Sequence, residues 1–544
     1  MLIQACQINP KIGDLQRNLK KIFQALDRGR ERQADVILFP EMTLTGYCPE
    51  DLLLDGTLAQ RAEEALQEIL PLTKGRMVIV GLPRKNSRRH EKPFYNSAAV
   101  MVDGELVGFK DKTLLPTYDV FDDRRYFEPG DQEPVFEFLG RKIGITICED
   151  AWQHAGLVQW SDYNKDPILN LADQGVDLML NLSASPYSYR RLVTRLAVFE
   201  AAAKTLRCPV IVCNQVGGND GLLFDGHSFY VNEKGEMLQL ARGFEEEDLW
   251  VDLGGHVCKC LLPEDEIKDL FAALVMGVRD YFEKQGFKKA ILGLSGGIDS
   301  ALVAVIAKEA LGKDNVRAFF LPSRFTLSQS HQDAAKLAEN LGIGFEVIEI
   351  EPLFQTYLDQ LGQRFEGRGW DLTEENLQAR IRSNLLMAIV NKEGGILLNT
   401  SNKSEMAMGY STLYGDLSGG LAVLSDVLKT RVYELSRYVN REREIIPQSI
   451  IERAPTAELR ENQKDEDTLP PYAILDPIVE GLVEQVLTPE QVSQETGISL
   501  ELVQGIRRKI HLAEYKRRQA PVGLRVTQKA FTKGRFVPIV SCWG

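Results

Sequence analysis

The sequence of 544 residues contains no uninterrupted apolar stretch that approaches the length of a membrane-spanning helix. Directly after Met1 it runs into LIQACQI, which reads like a strand and not like the charged start and apolar core of a signal peptide. We therefore expect neither a membrane anchor nor a secretory leader.

Positive charge is also in short supply, because 64 Lys and Arg residues face 77 Asp and Glu residues, for a formal net charge of -13. Such a surplus of acid argues against a nucleic-acid partner that is bound by phosphate neutralisation. Cysteine and histidine are sparse, with eight and six residues scattered along the chain. Several cysteines lie in strands that look buried, which favours a reducing, cytoplasmic location.

The chain is long, and its two halves differ in their pattern of strands and helices. Both features predict an α/β protein of more than one domain. Residues 1–255 mix buried strands, antiparallel hairpins and amphipathic helices, typical of two packed sheets covered by helices. Residues 265–544 alternate strands and helices regularly, which predicts a doubly wound parallel sheet. One of its strands is predicted over Phe345–Ile350.

Three reactive side chains of the first half follow the ends of predicted strands: Glu41, Lys112 and Cys148. Strand ends are places where a sheet brings together groups from distant parts of the sequence. A cysteine can attack an amide carbonyl if a base removes its proton and a cation stabilises the oxyanion. Glu41 is the candidate base and Lys112 the candidate cation. Since no histidine lies in these contexts, a Cys–His pair is not expected.

The second half contains a Gly-rich turn, Ser295-Gly-Gly-Ile-Asp-Ser300, between an apolar strand and a helix. Unsatisfied backbone N–H groups and the helix dipole make such a turn an anion site. Asp299 suits this site if a divalent cation accompanies the phosphates, and Glu405 could supply a second carboxylate for Mg²⁺. The segment Gly409–Asp416 is too rich in Gly, Tyr and hydroxyl residues for a plain helix and predicts a substrate-shaped loop.

The ordered segments FPEMTLTGY, FKDKTLLPTYDVF, GITICEDAW and LNLSASPY resemble the carbon–nitrogen hydrolase (nitrilase) family. That resemblance implies an α-β-β-α sandwich with a Glu, Lys, Cys triad at Glu41, Lys112 and Cys148. It also implies glutamine contacts at Tyr118, Ser185 and Arg191, the last at a position where the family usually has Lys. The family carries a further acidic residue after the lysine; here Asp123 stands where Glu is expected, and its role stays open.

The turn resembles the SGGxDS signature of ATP pyrophosphatases, a Rossmann-like fold. With ENLQARIR, TSNKSE, GYSTLYGD, LKTRVYEL and APTAEL, the second half is similar to the NAD⁺ synthetases. This implies Mg²⁺ at Asp299 and Glu405, and contacts to deamido-NAD⁺ at Asn376, Glu405 and Lys516. The implied ATP contacts are Gly293, Leu294, Ser295, Gly296, Gly297, Ile298, Asp299, Ser300, Thr400, Lys429 and Thr456.

Taken together, the chain resembles the family of glutamine-dependent NAD⁺ synthetases over nearly its full length. The resemblance implies ATP-dependent amidation of deamido-NAD⁺ through an adenylate, with ammonia released from L-glutamine, an internal ammonia passage and a homo-oligomer of undetermined size. Two other interpretations share part of the pattern. One is a glutamine-fed ATP pyrophosphatase that amidates another nucleotide carboxylate, such as xanthylate, and the other is a non-enzymatic nucleotide sensor.

Overall fold

Chain contacts divide the computed structural model into two units, Met1–Glu266 and Ile267–Gly544. The structure describes residues 1–157, 163–255, 259–262, 265–461 and 463–541. Each unit contains its own sheets and its own buried core.

The first unit contains fourteen described strands. They are β1 Leu2–Gln7, β2 Val36–Leu38, β3 Met77–Lys85, β4 Phe94–Val102, β5 Glu105–Asp111, β6 Val135–Phe138, β7 Arg141–Ile147, β8 Leu178–Ser183, β9 Val210–Asn214, β10 Val216–Asn219, β11 Leu222–Asp225, β12 Phe229–Val231, β13 Met237–Leu240 and β14 Glu247–Asp252.

These strands form two six-stranded mixed sheets and a small ribbon. The first sheet has the order β14-β1-β2-β3-β4-β5, and the second has the order β13-β12-β9-β8-β7-β6. In each sheet the three central strands run parallel and the flanking strands pair antiparallel. The hairpin predicted to turn at Asp103-Gly104 is confirmed as β4 and β5.

Alternation along the strands explains how the two sheets pack. Ile3 and Ala5 of β1 point into a core shared with Ile143 and Ile145 of β7 and with β8. The next residue, Cys6, lies in a separate cluster on the outer face of the first sheet. Because side chains of a strand alternate between faces, each sheet has one face for the other sheet and one for helices.

The helices of the first unit are α1 Leu15–Glu31, α2 Thr57–Ile69, α3 Asp123–Tyr126, α4 Pro167–Gln174 and α5 Arg191–Leu206. Residues of α1 and α2 cover the outer face of the first sheet, and residues of α4 and α5 cover that of the second. The result is the predicted α-β-β-α sandwich.

The second unit contains one five-stranded sheet, all parallel, with the order β17-β16-β15-β18-β19. Its strands are β15 Ala290–Gly293, β16 Val316–Phe320, β17 Gly344–Val347, β18 Ile396–Asn399 and β19 Leu421–Ala422. The strand predicted over Phe345–Ile350 was placed too far along the chain. It begins at Gly344 and ends at Val347, because the chain turns at Ile350 to begin a helix with Pro352 in its first turn.

Helices flank this sheet and form a further bundle. They are α6 Glu266–Gln285, α7 Ile298–Leu311, α8 Ser328–Leu341, α9 Glu351–Leu361, α10 Leu372–Glu393, α11 Lys403–Met408, α12 Lys429–Val439, α13 Gln448–Glu452, α14 Tyr472–Val479, α15 Pro489–Thr496, α16 Leu500–Leu512 and α17 Glu514–Arg517. The predicted α/β class is confirmed in both units. Within the described ranges, no helix combines the length and apolar character needed to cross a membrane.

Candidate active site

The structure brings Glu41, Lys112 and Cys148 together in the first unit. Glu41 follows β2, Lys112 directly follows β5, and Cys148 directly follows β7. The Lys112 Nζ atom lies 2.8 Å from Glu41 Oε1, and both charges act on the Cys148 sulfur. All three residues are buried, at 1 %, 1 % and 6 % exposure. Strands from both sheets therefore deliver one base, one cation and one thiol to a common point.

Glu41 is held by a full set of donors. Its Oε1 atom accepts from Asn96 Nδ2 at 2.7 Å as well as from Lys112, and its Oε2 atom accepts from the Ala184 N–H at 3.0 Å. Burial raises the pKa of Glu41, a shift that Lys112 opposes and Asp123 reinforces. A higher pKa makes the carboxylate a stronger base than an exposed glutamate.

Asp123, whose role the sequence left open, is the second partner of Lys112. Lys112 Nζ donates to Asp123 Oδ2 at 2.8 Å, and Tyr47 donates its hydroxyl to Asp123 Oδ1 at 3.1 Å. Burial alone would lower the pKa of Lys112, but Asp123 and Glu41 outweigh it and raise that pKa well above its usual value. The ammonium is therefore permanently charged, as an oxyanion-stabilising group must be.

Cys148 is the first residue of a short 3-10 turn, Cys148–Ala151, that directly follows β7. Its φ of 42° is in the left-handed region, which is uncommon for a residue with a Cβ atom. Burial and the Glu41 charge raise the pKa of the thiol, although Lys112 and a backbone hydrogen bond from Ala184 lower it. The resting group is thus a thiol, and it needs a base in order to react.

Polar groups around Cys148 include the predicted Tyr118 and Arg191 and one acid that the sequence did not single out, Glu149. Tyr118 donates its hydroxyl to both carboxylate oxygens of Glu149 at 3.0 Å, and the Arg191 guanidinium stacks 4.0 Å from the centre of the Trp152 ring. Burial raises the pKa of Glu149 to about 7, while Lys112, Tyr118 and Arg191 oppose the shift.

Ser185 is fixed through its backbone. Its N–H donates to Asn214 Oδ1 at 2.9 Å, and its carbonyl accepts from Arg195 Nη2 at 3.3 Å. Arg195 is itself fully buried and pairs with Asp225 at 2.8 Å, which helps to lower the pKa of Asp225 to about 2 in spite of burial. Ala184 and Ser185 directly follow β8. Because the Ala184 N–H donates to Glu41, Ser185 is the residue next to a Glu41 contact.

In the second unit, the Ser295–Ser300 turn joins β15 to α7 as predicted. Ser295 Oγ accepts from the Gly297 N–H at 3.2 Å and lies 3.1 Å from Ser300 Oγ, so the hydroxyls define the shape of the turn. Gly296 has a φ of 78°, and a Cβ atom at this position would collide with the Ser330 carbonyl oxygen. Only glycine satisfies both constraints.

The turn opens into a cavity of about 320 Å³. Its lining includes most of the predicted ATP contacts: Gly293, Leu294, Ser295, Gly297, Ile298, Asp299, Ser300, Thr400, Lys429 and Thr456. Glu405 lines it as well, whereas Gly296 backs onto α8 instead. Cavities of this size accommodate small-molecule ligands.

Two carboxylates converge on Lys429 at one wall of the cavity. Lys429 Nζ donates to Asp299 Oδ2 and lies 3.8 Å from Glu405 Oε1, and Asn402 Nδ2 donates to Asp299 Oδ1 at 2.9 Å. Burial and Asp299 raise the pKa of Glu405 to about 8, against the effect of Lys429. Carboxylate oxygens are ligands that Mg²⁺ prefers, so Asp299 and Glu405 are the residues here that could hold it.

Asn376 and Lys516 lie around the segment 409–416, outside the cavity lining as described. Thr412 Oγ1 donates to Asn376 Oδ1 at 2.7 Å, and Lys516 Nζ donates to the carbonyls of Gly409 and Ser411 at 2.8 and 2.7 Å. The predicted loop is thus held by two residues that the sequence assigned to the same substrate.

A Glu, Lys, Cys group on a two-sheet sandwich and a Gly-rich phosphate turn on a parallel sheet define an amide-cleaving domain and a nucleotide-activating domain in one chain. Residues 2–253 match the carbon-nitrogen hydrolase family, and residues 270–520 match the NAD synthase family. The chain belongs to the glutamine-dependent NAD⁺ synthetases.

Similarity to individual relatives extends over the whole chain. The glutamine-dependent NAD⁺ synthetase of Synechocystis sp. is 45% identical and that of Thermotoga maritima 41% identical, over 99% of this chain and 99% and 98% of theirs. The solved structure of the Acinetobacter baumannii enzyme, in complex with adenosine diphosphate, is 37% identical with a TM-score of 0.77. It covers 100% of this chain and 99% of that one.

Sequence reasoning missed several residues that complete the first site: Tyr47, Asn96, Glu149 and Trp152. Asn96 and Tyr47 are buried among apolar neighbours and bind other side chains 55 and 76 positions away. Two of the four could have been found from the sequence, because Glu149 and Trp152 lie next to Cys148 in the GITICEDAW segment.

The second counter-ion of Lys112 leads to a test. In Asp123→Asn, Lys112 keeps Glu41 but loses a charged acceptor, so its ammonium is less firmly placed for the oxyanion. We expect kcat for glutamine hydrolysis to fall about tenfold or more, with ammonia-driven NAD⁺ formation unchanged. Steady-state glutaminase assays measure this. The exposed neighbour Asp122→Asn is the matched control, and equal activity of both variants would contradict the assignment.

The close packing of Gly296 in the Gly-rich turn can be tested by substitution. Gly296→Ala forces a collision with Ser330 in addition to left-handed strain, so we expect kcat/KM for ATP to fall about tenfold or more with either nitrogen source. Gly286 has a φ of 82° with open space around it, so Gly286→Ala supplies the strain alone, about 1–2 kcal/mol. It should retain ATP-dependent synthesis, and an equal loss in both variants would show that the collision is unimportant.

Proposed function

We propose that Cys148, Glu41 and Lys112 release ammonia from glutamine, and that the Ser295–Ser300 cavity activates deamido-NAD⁺ with ATP to receive that ammonia. The observation that carries the proposal is that each unit contains a complete set of groups for its step. A thiol, a base and a permanent cation meet in the first unit, and a phosphate turn with two carboxylates meets in the second.

In the first step, Cys148 attacks the side-chain amide carbon of glutamine while Glu41 takes the thiol proton. Lys112 stabilises the negative oxygen of the tetrahedral intermediate. Glu41 returns the proton to the leaving amide nitrogen, so ammonia departs and a thioester remains. Water, deprotonated by Glu41, then cleaves the carbon–sulfur bond and releases glutamate and the thiol.

The groups around Cys148 suit the amino-acid end of glutamine. Arg191 carries a planar guanidinium, which lies over the Trp152 ring and can bind the α-carboxylate with two hydrogen bonds. Glu149 supplies a negative charge for the α-ammonium, with Tyr118 orienting both of its oxygens. Ser185 and Tyr118 remain the hydroxyl contacts expected from the family.

In the second unit, the nicotinate carboxylate attacks the α-phosphate of ATP and pyrophosphate leaves. Backbone N–H groups of the turn and the start of α7 can hold that pyrophosphate, and Lys429 and Thr456 line the same cavity. The related Acinetobacter baumannii structure is a complex with adenosine diphosphate, which supports an adenine nucleotide as a ligand of this chain. Ammonia then attacks the acyl carbon, loses a proton and displaces AMP to give NAD⁺.

Mg²⁺ fits the chemistry of this wall of the cavity. Asp299 and Glu405 would hold it, since both are carboxylates in a largely buried position and both face Lys429. When bound, Mg²⁺ would neutralise phosphate charge during pyrophosphate departure. Asn402 keeps Asp299 oriented and caps the helix that carries Glu405, so the two acids stay at a fixed spacing.

The division of labour has a direct test. Cys148→Ala should reduce glutamine-driven NAD⁺ formation to background, because no thioester can form, while ammonia-driven formation stays near the wild-type rate. The measurement is NAD⁺ production with each nitrogen source in turn. Cys208→Ala, which removes another buried thiol of the same unit, is the control and should keep both activities. Loss of both activities in a folded Cys148→Ala protein would contradict the proposal.

Glutamine recognition by Glu149 predicts a pH dependence. Because its pKa is raised to about 7, Glu149 is ionised above that pH and neutral below it. We expect kcat/KM for glutamine to fall as the pH drops through about 7, since a neutral Glu149 side chain no longer attracts the α-ammonium group of glutamine.

Glu149→Gln should remove this acid limb and raise KM for glutamine about tenfold or more, the loss of one charged hydrogen bond. The exposed Glu137→Gln should leave the profile unchanged. An acid limb that persists unaltered in Glu149→Gln would assign it to another group.

A further inference from the structure

The first unit contains a second group of buried charges that the proposed reaction does not use. Lys110 Nζ lies 3.1 Å from Glu133 Oε2 and 3.3 Å from Asp150 Oδ2. Lys110 and Asp150 are fully buried, and Glu133 is 9 % exposed. Buried charges of this kind persist only when they are paired and hydrogen-bonded.

Asp150 uses its two oxygens to join two segments of the site. Its Oδ1 atom accepts from the backbone N–H groups of Thr113 and Leu114, both at 2.9 Å, and its Oδ2 atom accepts from the N–H of Ile147 at 3.0 Å. Thr113 directly follows Lys112, and Ile147 directly precedes Cys148. One carboxylate thus binds the backbone on the C-terminal side of the candidate cation and on the N-terminal side of the candidate nucleophile.

Lys110 and Glu133 secure the same segment from its other side. Lys110 Nζ donates to Thr113 Oγ1 at 2.9 Å, and Thr113 donates its hydroxyl to Glu133 Oε1 at 2.5 Å. Thr113 is therefore held by its N–H and by its hydroxyl at once. The backbone after β5 has little freedom to slide relative to the turn that follows β7.

We propose that Asp150 is a positioning residue that fixes Lys112 against Cys148 by binding both backbone segments at once; this rests on the proposed role of those two residues in glutamine hydrolysis. Asp150 itself does not contact the substrate in this assignment. Its effect is geometric, because a displacement of about 1 Å between reacting groups can cost about a hundredfold in rate.

The chemistry of the contacts requires a carboxylate. Three N–H groups and one ammonium face Asp150, and an ionised carboxylate offers only acceptors. Asparagine has the same shape but one acceptor oxygen, and its NH₂ group would face a donor. Asp150→Asn therefore keeps the volume of the side chain and breaks the link between the two segments.

The sign of the change in thiol reactivity separates positioning from a simple charge effect. Glu41, Lys112 and Glu149 are the charged groups with the largest effects on the pKa of Cys148. If Asp150→Asn lets Lys112 move away, the thiol loses a stabilising cation and its pKa rises. If removing the charge of Asp150 acts through space alone, the thiol loses a repelling anion and its pKa falls.

The experiment compares wild type, Asp150→Asn and Asp35→Asn in the full chain. Asp35 accepts the N–H of Leu2 at 2.7 Å and holds β1 without contacting the site, so it is the matched control. We measure glutaminase kcat and KM, ammonia-driven synthesis, and the pH profile of iodoacetamide alkylation at the Cys148 peptide by mass spectrometry.

For Asp150→Asn we expect kcat for glutamine to fall about tenfold or more with KM nearly unchanged, and the alkylation profile to move to higher pH. Ammonia-driven synthesis should stay at the wild-type rate, and Asp35→Asn should resemble wild type throughout. An unchanged kcat, or an alkylation profile that is unmoved or shifted to lower pH, would overturn the positioning role.

Two further measurements protect the test against misfolding. Asp150→Glu retains the charge but adds a methylene, so it should also lower kcat, and a wild-type rate would overturn the proposal. In the wild-type protein, hydrogen exchange of peptides spanning 112–115 and 146–149 should be slow, and rapid exchange of these amides would overturn it without any variant. A wild-type chain that hydrolyses no glutamine would instead overturn the proposed function itself.

Discussion

The burial of Lys112 between Glu41 and Asp123 is the interaction on which the first site depends. An ammonium removed from water is tolerated only when anions surround it, and here two carboxylates share one cation. The excess negative charge falls partly on Glu41, whose pKa burial has already raised. The arrangement that makes the cation permanent therefore also makes the acid basic. Charge balance and reactivity in this site therefore have the same physical origin.

The second unit contains two buried lysines that are also held by carboxylates. They differ in whether they line the cavity. Lys403 lies between Asp426 and Glu484, at 2.8 and 2.6 Å, and also binds Thr527. Its partners belong to the surrounding protein, and they fix the helix that carries Glu405. Lys429 also has two carboxylate partners, but it lines the cavity, where phosphate oxygens can replace them. The same residue type is structural in one position and available to a ligand in the other.

The sequence predicted both sites to the extent that their chemistry is concentrated in short segments. Glu41, Lys112 and Cys148 could be found because each follows an apolar strand, and the Ser295–Ser300 turn because strand, glycines and helix are consecutive. Asp123, Asn96 and Asp150 could not be assigned in the same way. Each of them depends on at least one partner 11 to 55 positions distant, which only the folded sheets bring close. A buried acid looks the same in sequence whether it binds a lysine, a backbone N–H or a solvent molecule.

The two units treat charge in opposite ways, and the difference follows from their proposed reactions. Hydrolysis of glutamine begins with a neutral side-chain amide and a protonated thiol, so the charges of the first site must be balanced inside the protein before the substrate arrives. Adenylation brings highly charged phosphates into the second site. The site can therefore contain carboxylates and a lysine that are paired with each other only until the phosphates bind. Burial and the neighbouring Asp299 raise the pKa of Glu405 to about 8, and perturbed pKa values of this kind are typical of functional sites. The closed core of the first site and the open cavity of the second are therefore each suited to the charge of the molecule they receive.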